Sequence, residues 1–260
     1  MTTFNPKRVL VTGATGAIGM PVCHHLLKRG HVVRGMGRKP QPTWDDVTLY
    51  DYVQGDLTDR ALVEKAIDGM DTVLHLAAYR NNADLIDVLL EPNVIGLHHI
   101  CDVAAKKGVA RLMLASTLQT VAGFGEDQEP IKIEDGPQPI NHYALTKVWG
   151  EIYGDMLARL HPISVINVRI GWLPRDPEYA QRLVKSKDGV NIFFSHNDAQ
   201  RFFERCVESE TPKINESVTI FATSKPLNRT RLDLASAQTA IGYIPQDTWP
   251  EGLPFDPFGE

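Results

Sequence analysis

Cysteine is scarce in this 260-residue chain: Cys23, Cys101 and Cys206 are the three, and they stand far apart. That spacing excludes a disulfide framework and paired metal ligands. No apolar run approaches the ~20 residues that cross a bilayer. The opening Met1-Thr-Thr-Phe-Asn-Pro-Lys-Arg8 lacks the layout of a signal peptide, so a cytoplasmic protein with no membrane partner is expected. Basic charge is not in excess either. Lys and Arg number 27 against 32 Asp and Glu, a formal charge of -5. This argues against a nucleic-acid partner, because phosphate binding needs a basic face. Repeats and low-complexity tracts are also missing. What is present is 43% hydrophobic residues, an ordinary globular share that excludes general disorder.

Up to residue 170, short β-rich runs alternate with longer helical stretches. Strands are expected at 8–12, 31–36, 47–53 (the weakest), 71–76, 111–116 and 163–169, and helices at 17–29, 58–67, 84–107 and 143–160. In the first helix Ile18, Val22, Leu26 and Leu27 share a face, and Gly30 supplies a stop. Pro92 lies inside the long third helical region, where its ring and missing N–H predict a break or kink near Glu91. Strands apolar almost throughout, with helices between them, indicate a parallel sheet covered on both faces. This is the doubly wound α/β class, which binds ligands outside the carboxyl ends of its strands.

After Arg169 the alternation fades. A long loop is expected over 171–190 with a helical turn near 179–183, then a helix over 198–208 capped by Asn197 or Asp198. A strand at 217–222 and a helix at 232–241 follow. The stretch 245–260 carries four of the 17 prolines and is expected to be extended. We therefore divide the chain into an α/β domain over 1–170 and a small lobe over 171–260 that is not an independent domain.

The turn after the first strand is Thr12-Gly-Ala-Thr-Gly-Ala-Ile-Gly19, the make of a dinucleotide-binding turn. Glycines there allow a tight turn, close approach to a pyrophosphate and close packing of helix on strand. The helix that follows presents free N–H groups and a partial positive charge. Gly13, Thr15, Gly16, Ala17, Ile18 and Gly19 are the candidate contacts, and a strand before and helix after give the context the motif requires.

The spacing G-x-x-G-x-x-G, with the motifs behind it, resembles the extended short-chain dehydrogenase/reductase family, also called the NAD-dependent epimerase/dehydratase family. Gly55-Asp56-Leu57 follows the third strand, where the family places an Asp against the adenine. His75-Leu76-Ala77-Ala78 ends the fourth strand, Asn93 and Gly96 lie in the long helical region, and Tyr143-Ala-Leu-Thr-Lys147 opens a later helix. The resemblance spans about 7–245. It implies a Rossmann fold and an NAD(P)-dependent oxidoreductase. It adds Asp56, Leu57, Leu76, Ala77, Ala78, Asn93, Tyr143, Lys147 and Ile170 to the cofactor contacts. It also implies a homodimer formed through the helices flanking the fifth strand.

NAD-preferring enzymes hold the ribose 2′-hydroxyl with an acidic residue at the end of the second strand, whereas NADP-preferring ones put an Arg near the 2′-phosphate. Here the segment is Arg34-Gly-Met-Gly-Arg-Lys39, with Gly37 in the acidic position and Arg38 and Lys39 beside it. The expected cofactor is NADP, with NAD the alternative.

Tyr143 and Lys147 are one helical turn apart and share a face. A nearby ammonium favours a phenolate, so Lys147 is expected to lower the Tyr143 pKa. The third catalytic member should be a hydroxyl at the end of the fifth strand. By resemblance Thr117 faces the substrate and Ser116 is its neighbour. His142 and His196 are weaker candidates for substrate contact. The His24-His25 and His98-His99 pairs have no partner at metal spacing, so no metal is expected. The implied reaction is hydride transfer to or from the hydroxyl or carbonyl of a small molecule. The other readings are a nucleotide-sugar epimerase or dehydratase with retained NAD, and a non-enzymatic NADP-sensing regulator.

Among shorter family members the chain resembles uronate dehydrogenases and related free-sugar dehydrogenases, at Ala115-Ser-Thr-Leu-Gln-Thr-Val121, Val168-Arg-Ile-Gly171 and Phe194-Ser-His-Asn-Asp198. Their Asn-His pair is Leu118-Gln119 here, and a small polar residue is Trp172. Gln119 and Trp172 are therefore expected at a pocket that favours a less hydroxylated or larger apolar substrate, within the range of a sugar, a sugar acid or a less polar alcohol or carbonyl. Arg175 and Arg182 could receive a carboxylate or phosphate.

Overall fold

Seven strands form one sheet: β1 (Arg8–Thr12), β2 (Val32–Gly37), β3 (Asp51–Gln54), β4 (Thr72–His75), β5 (Arg111–Thr117), β6 (Ser164–Ile170) and β7 (Ser217–Ala222). The computed structural model describes residues 5–125 and 128–249. All neighbouring strands are parallel, in the order β3-β2-β1-β4-β5-β6-β7. Because β1 lies between β2 and β4, the winding reverses there, and the crevice above β1 and β4 is the expected ligand position. The seventh strand comes from the segment after residue 170 and pairs with β6.

Alternation along each strand sends side chains to two separate apolar layers. On one face Val9, Val11, Met113 and Ile166 pack against Val22 and Leu26 of α1 (Gly19–Lys28) and Phe202 and Phe203 of α6 (His196–Glu208). On the other, Leu10, Val73, Leu112 and Val165 meet Val63 of α2 (Arg60–Ile67), Ile100 of α3 (Gly96–Lys106) and Leu157 of α4 (His142–Leu160). Two shorter helices, α5 (Pro177–Lys185) and α7 (Ala235–Ile241), belong to the second half. Among the described residues no helix is long and apolar enough to cross a membrane.

Pro92 does not break its helix. Leu85–Ile95 is a π-helical segment that runs directly into α3. The Leu89 N–H donates to Asp84 O at 3.1 Å and the Gly96 N–H to Glu91 O, each five residues back. The wider turn makes room for the ring that an α-helical turn would exclude. Within the expected loop over 171–190, the helical turn near 179–183 extends to a full helix over Pro177–Lys185. Asp176 accepts from the Tyr179 N–H at 2.7 Å and Pro177 opens the first turn, a strong start signal. The cap of α6 is Ser195, not Asn197 or Asp198: its hydroxyl accepts from the Asp198 N–H at 2.8 Å. The Asp198 carboxylate instead accepts from the backbone of Gln246 and Asp247. β3 is shorter than the expected 47–53, and α7 starts at Ala235 rather than 232. Residues 245–249 belong to no helix or strand; the expected extended stretch beyond them, 250–260, lies outside the described residues.

Candidate active site

The glycine turn is built by close approach. Gly13 has φ +71°, and a Cβ there would lie 3.0 Å from the Ala77 nitrogen. A Cβ on Gly19 would come 2.1 Å from the Gly13 carbonyl oxygen, so no other residue fits without moving the turn. The N–H groups of Gly13 and Ala14 donate to Met36 O at 2.8 and 3.2 Å, tying the turn to β2. Thr15, Gly16, Ala17 and Ile18 then lead into α1, whose N-terminus has no side-chain cap and no acidic residue in its first turn. Such an end suits a pyrophosphate.

On the adenosine side, Asp56 accepts from the N–H and hydroxyl of Thr58, both at 3.0 Å, and its other oxygen lies 3.9 Å from Arg38. Arg38 is 81% exposed at its side chain, and Lys39 is exposed too. Gly37 leaves space that Tyr52 fills: a Cβ there would meet the Tyr52 hydroxyl at 2.9 Å. Arg34 does not join this basic group. It is buried, donates to the carbonyls of Lys65, Ala66 and Asp68 behind α2, and pairs with Asp51 at 3.1 Å. Leu57 is part of the core below.

Leu76, Ala77 and Ala78 leave β4 over the sheet edge. Their path is pinned from two sides. Thr12 Oγ1 lies 2.9 Å from His75 Nδ1 and accepts from the Ala77 N–H at 3.2 Å. Asn93 receives the Tyr79 N–H at 2.8 Å and donates to the Tyr79 carbonyl at 2.9 Å and to Thr146 at 3.2 Å. Its amide is thus spent on shaping this loop. Ile170 ends β6, half-buried against the core.

The structure brings Thr117, Tyr143 and Lys147 together at the carboxyl end of β5, all buried. Tyr143 hydrogen-bonds Thr117, and Lys147 Nζ donates to Ala115 O at 2.8 Å and lies 5.7 Å from the Tyr143 ring centroid. The Tyr143 pKa moves opposite to expectation. Burial pushes it up to about 12, against a smaller lowering by the Thr117 hydrogen bond. Burial also brings Lys147 down to about 8, with the Glu151 carboxylate opposing. Near neutral pH Tyr143 therefore holds its proton, and Lys147 keeps most of its charge.

Ser116 turns away from this group. Its hydroxyl donates to Glu151 at 2.5 Å, and Arg169 closes on the same carboxylate at 3.0 and 2.8 Å. Sequence reasoning missed Glu151, although it stands one turn past Lys147 on the same face. Gln119 sits beside the site, its N–H 3.3 Å from Thr117 Oγ1 and its side chain accepting from Asn141 at 2.9 Å. Trp172 meets the Tyr179 ring edge-on at 5.8 Å. Arg182 is placed on the exposed side of α5, paired with Glu178 at 2.6 Å. Arg80, not singled out in the sequence, lies within electrostatic reach of Tyr143 and Arg175. His196 contacts Pro174 O at 2.8 Å, while His142 is exposed. His24, His25, His98 and His99 pair with Asp46, Glu204, Tyr153 and Leu57 O.

Residues 9–173 match the model of the NAD dependent epimerase/dehydratase family. The chain is 28% identical to L-arabinose 1-dehydrogenase (NAD(P)(+)) of Haloferax volcanii over 255 residues, 92% of this chain and 96% of that protein. It is 29% identical to NAD-dependent glucose-6-phosphate dehydrogenase of the same organism, covering 95% of this chain and 98% of the relative. A mutated uronate dehydrogenase of known structure superposes with a TM-score of 0.79 at 25% identity, over 93% of this chain and 82% of that one.

The buried His75 gives a prediction about pH. Burial, with the Lys147 charge adding to it, lowers its pKa from 6.5 to about 3. The unfolded chain binds a proton there that the folded chain refuses. Stability from the neutral ring is thus present above pH 6.5 and lost as pH falls toward about 3. Urea unfolding should weaken less steeply across this window in His75→Gln than in wild type; equal slopes would contradict it.

Proposed function

The chain belongs to the NAD dependent epimerase/dehydratase family, and on that premise we propose that it is an NAD(P)-dependent oxidoreductase acting on a sugar or sugar acid. The carrying observation is the buried group of Thr117, Tyr143 and Lys147 beside the carboxyl end of β5, next to a glycine turn shaped for a dinucleotide. Gly13 to Gly19 and the open end of α1 hold the pyrophosphate. Asp56 holds the adenine side, and Lys147 the ribose of the nicotinamide. The bound nicotinamide supplies the site that accepts or gives hydride. Thr117 orients the substrate oxygen and Tyr143 exchanges a proton with it. Tyr143 gives its proton to a carbonyl oxygen in reduction and takes one from a hydroxyl in oxidation. Residues 1–170 carry the dinucleotide, and 171–260 supply the substrate side. Three buried free thiols fit a cytoplasmic setting.

NADP is the preferred form, because Gly37 stands where an acidic side chain would hold the 2′-hydroxyl and the Arg38 side chain is 81% exposed. A second copy of the chain is the partner. Leu145, Trp149, Ile152, Met156 and Leu160 form an exposed apolar stripe along α4 at three- and four-residue spacing.

A panel of sugars, sugar acids and less polar alcohols, with absorbance of the reduced nicotinamide as readout, tests the activity. Turnover of at least one sugar or sugar acid, with higher kcat/KM for NADP than for NAD, is expected. No turnover in either direction across the panel would overturn the activity, and equal or better efficiency with NAD would overturn the NADP preference. Sedimentation should give a dimer that Ile152→Glu dissociates; a wild-type monomer would refute the partner.

A further inference from the structure

We propose that Glu151, locked between Arg169 and Ser116, is a positioning residue for the reaction: it sets the register in which α4 carries Tyr143 and Lys147 against the carboxyl end of β5. The inference deepens the oxidoreductase reading of that site and rests on it.

Tyr143, Lys147 and Glu151 are four residues apart along α4, so they stand in a row on one face, and all three are buried. The row docks onto the last three residues of β5. Tyr143 hydrogen-bonds Thr117, Lys147 Nζ donates to Ala115 O at 2.8 Å, and Ser116 Oγ donates to Glu151 Oε1 at 2.5 Å. A slide of α4 along β5 breaks all three contacts at once.

Glu151 is the member that ties the row to a second strand. Arg169 stands beside Ser116 in the register of β5 and β6. Its Nε donates to Glu151 Oε1 at 3.0 Å and its Nη2 to Oε2 at 2.8 Å, a two-pronged grip that fixes the plane of the carboxylate. The two side chains are 3% and 7% exposed. Arg169 Nη1 is buried without a hydrogen-bond partner among the described residues. The guanidinium is therefore held by Glu151, with the Phe221 ring centroid 5.8 Å away.

Stability alone does not account for this pair. Burying two charges costs about as much as their attraction returns, and apolar side chains of similar volume dock a helix as well. α4 already has other docking. Leu157 lies in the core, and Asn167 donates to Glu151 O at 3.2 Å and to Asp155 at 3.0 Å. A Cβ on Gly154 would meet Asn167 Oδ1 at 2.7 Å and Val165 Cγ1 at 2.9 Å, so the helix lies close against β6 there without help from the ion pair. What a gripped carboxylate adds is direction. Apolar packing tolerates a small slide or rotation, whereas hydrogen bonds to a fixed carboxylate weaken steeply with angle. The carboxylate also opposes the fall in the Lys147 pKa that burial causes.

Glu151→Met, Arg169→Met and the two combined separate position from stability. Each single variant strands a buried charge, so Tm should fall by about 10 °C. In Glu151→Met/Arg169→Met, Tm should return to within about 5 °C of wild type. With NADP and the best substrate among glucose, L-arabinose and glucuronate, kcat of the double variant should stay about 10- to 100-fold down while KM changes little. Its crystal structure should show Lys147 Nζ displaced from Ala115 O. Ser116→Ala frees the strand side without stranding a charge, and should lower kcat about 3- to 10-fold with Tm near that of wild type. A double variant whose kcat recovers along with Tm, or whose Lys147 stays 2.8 Å from Ala115 O, overturns the proposal, as does an unchanged kcat in Ser116→Ala. If wild type turns over no sugar or sugar acid, the oxidoreductase reading falls. The position of Lys147 in the double variant then still upholds or overturns the role of Glu151.

Discussion

Burial governs the carboxyl ends of β4 and β5, and three ionisable groups there answer to it. His75 is held neutral down to about 3, Lys147 is brought down to about 8, and Tyr143 is pushed up to about 12. Each moves toward its uncharged form, as desolvation requires. What keeps the corner folded is hydrogen bonding inside it: Thr12 to His75, Lys147 to Ala115 O, Ser116 to Glu151. The lysine charge is tolerated because a backbone carbonyl and the Glu151 carboxylate face it. The same enclosure keeps Tyr143 protonated at neutral pH.

The second half of the chain completes this corner rather than sitting beside it. Gly171 N–H bonds Ala222 O at 2.8 Å, so the backbone leaving β6 is pinned to β7 before it turns. The next residues are tied to 192–194, and α5 follows from its Asp176 cap. These ties hold Trp172 and Arg175 against the Tyr179 ring of α5, beside the chain leaving β6.

Much of this was legible in the sequence because it follows from spacing. Glycines three apart between a strand and a helix announce a close approach, and the 2.1 Å clearance at Gly19 is that approach in atomic terms. Apolar runs separated by helices announced the parallel sheet. What stayed hidden depends on burial and on partners far along the chain. Ser116 and Thr117 carry equivalent hydroxyls, and alternation along β5 sends them opposite ways, one to Glu151 and the other to Tyr143. Arg34 stands near Arg38 and Lys39 in the sequence, yet its guanidinium satisfies the carbonyl end of α2. The sign of the Tyr143 shift depends on how much water is excluded, which no Tyr-x-x-x-Lys spacing reveals. Pro92 reads as a breaker only if the turn is assumed to be α-helical.

In the proposed reaction the Tyr143 hydroxyl is the group that exchanges a proton with the substrate. Tyr143→Phe keeps the ring and removes the hydroxyl, so the most direct measurement is turnover together with dinucleotide affinity in this variant. The account predicts turnover lower by about 10²–10⁴-fold with dinucleotide binding retained. Wild-type turnover in Tyr143→Phe would contradict it.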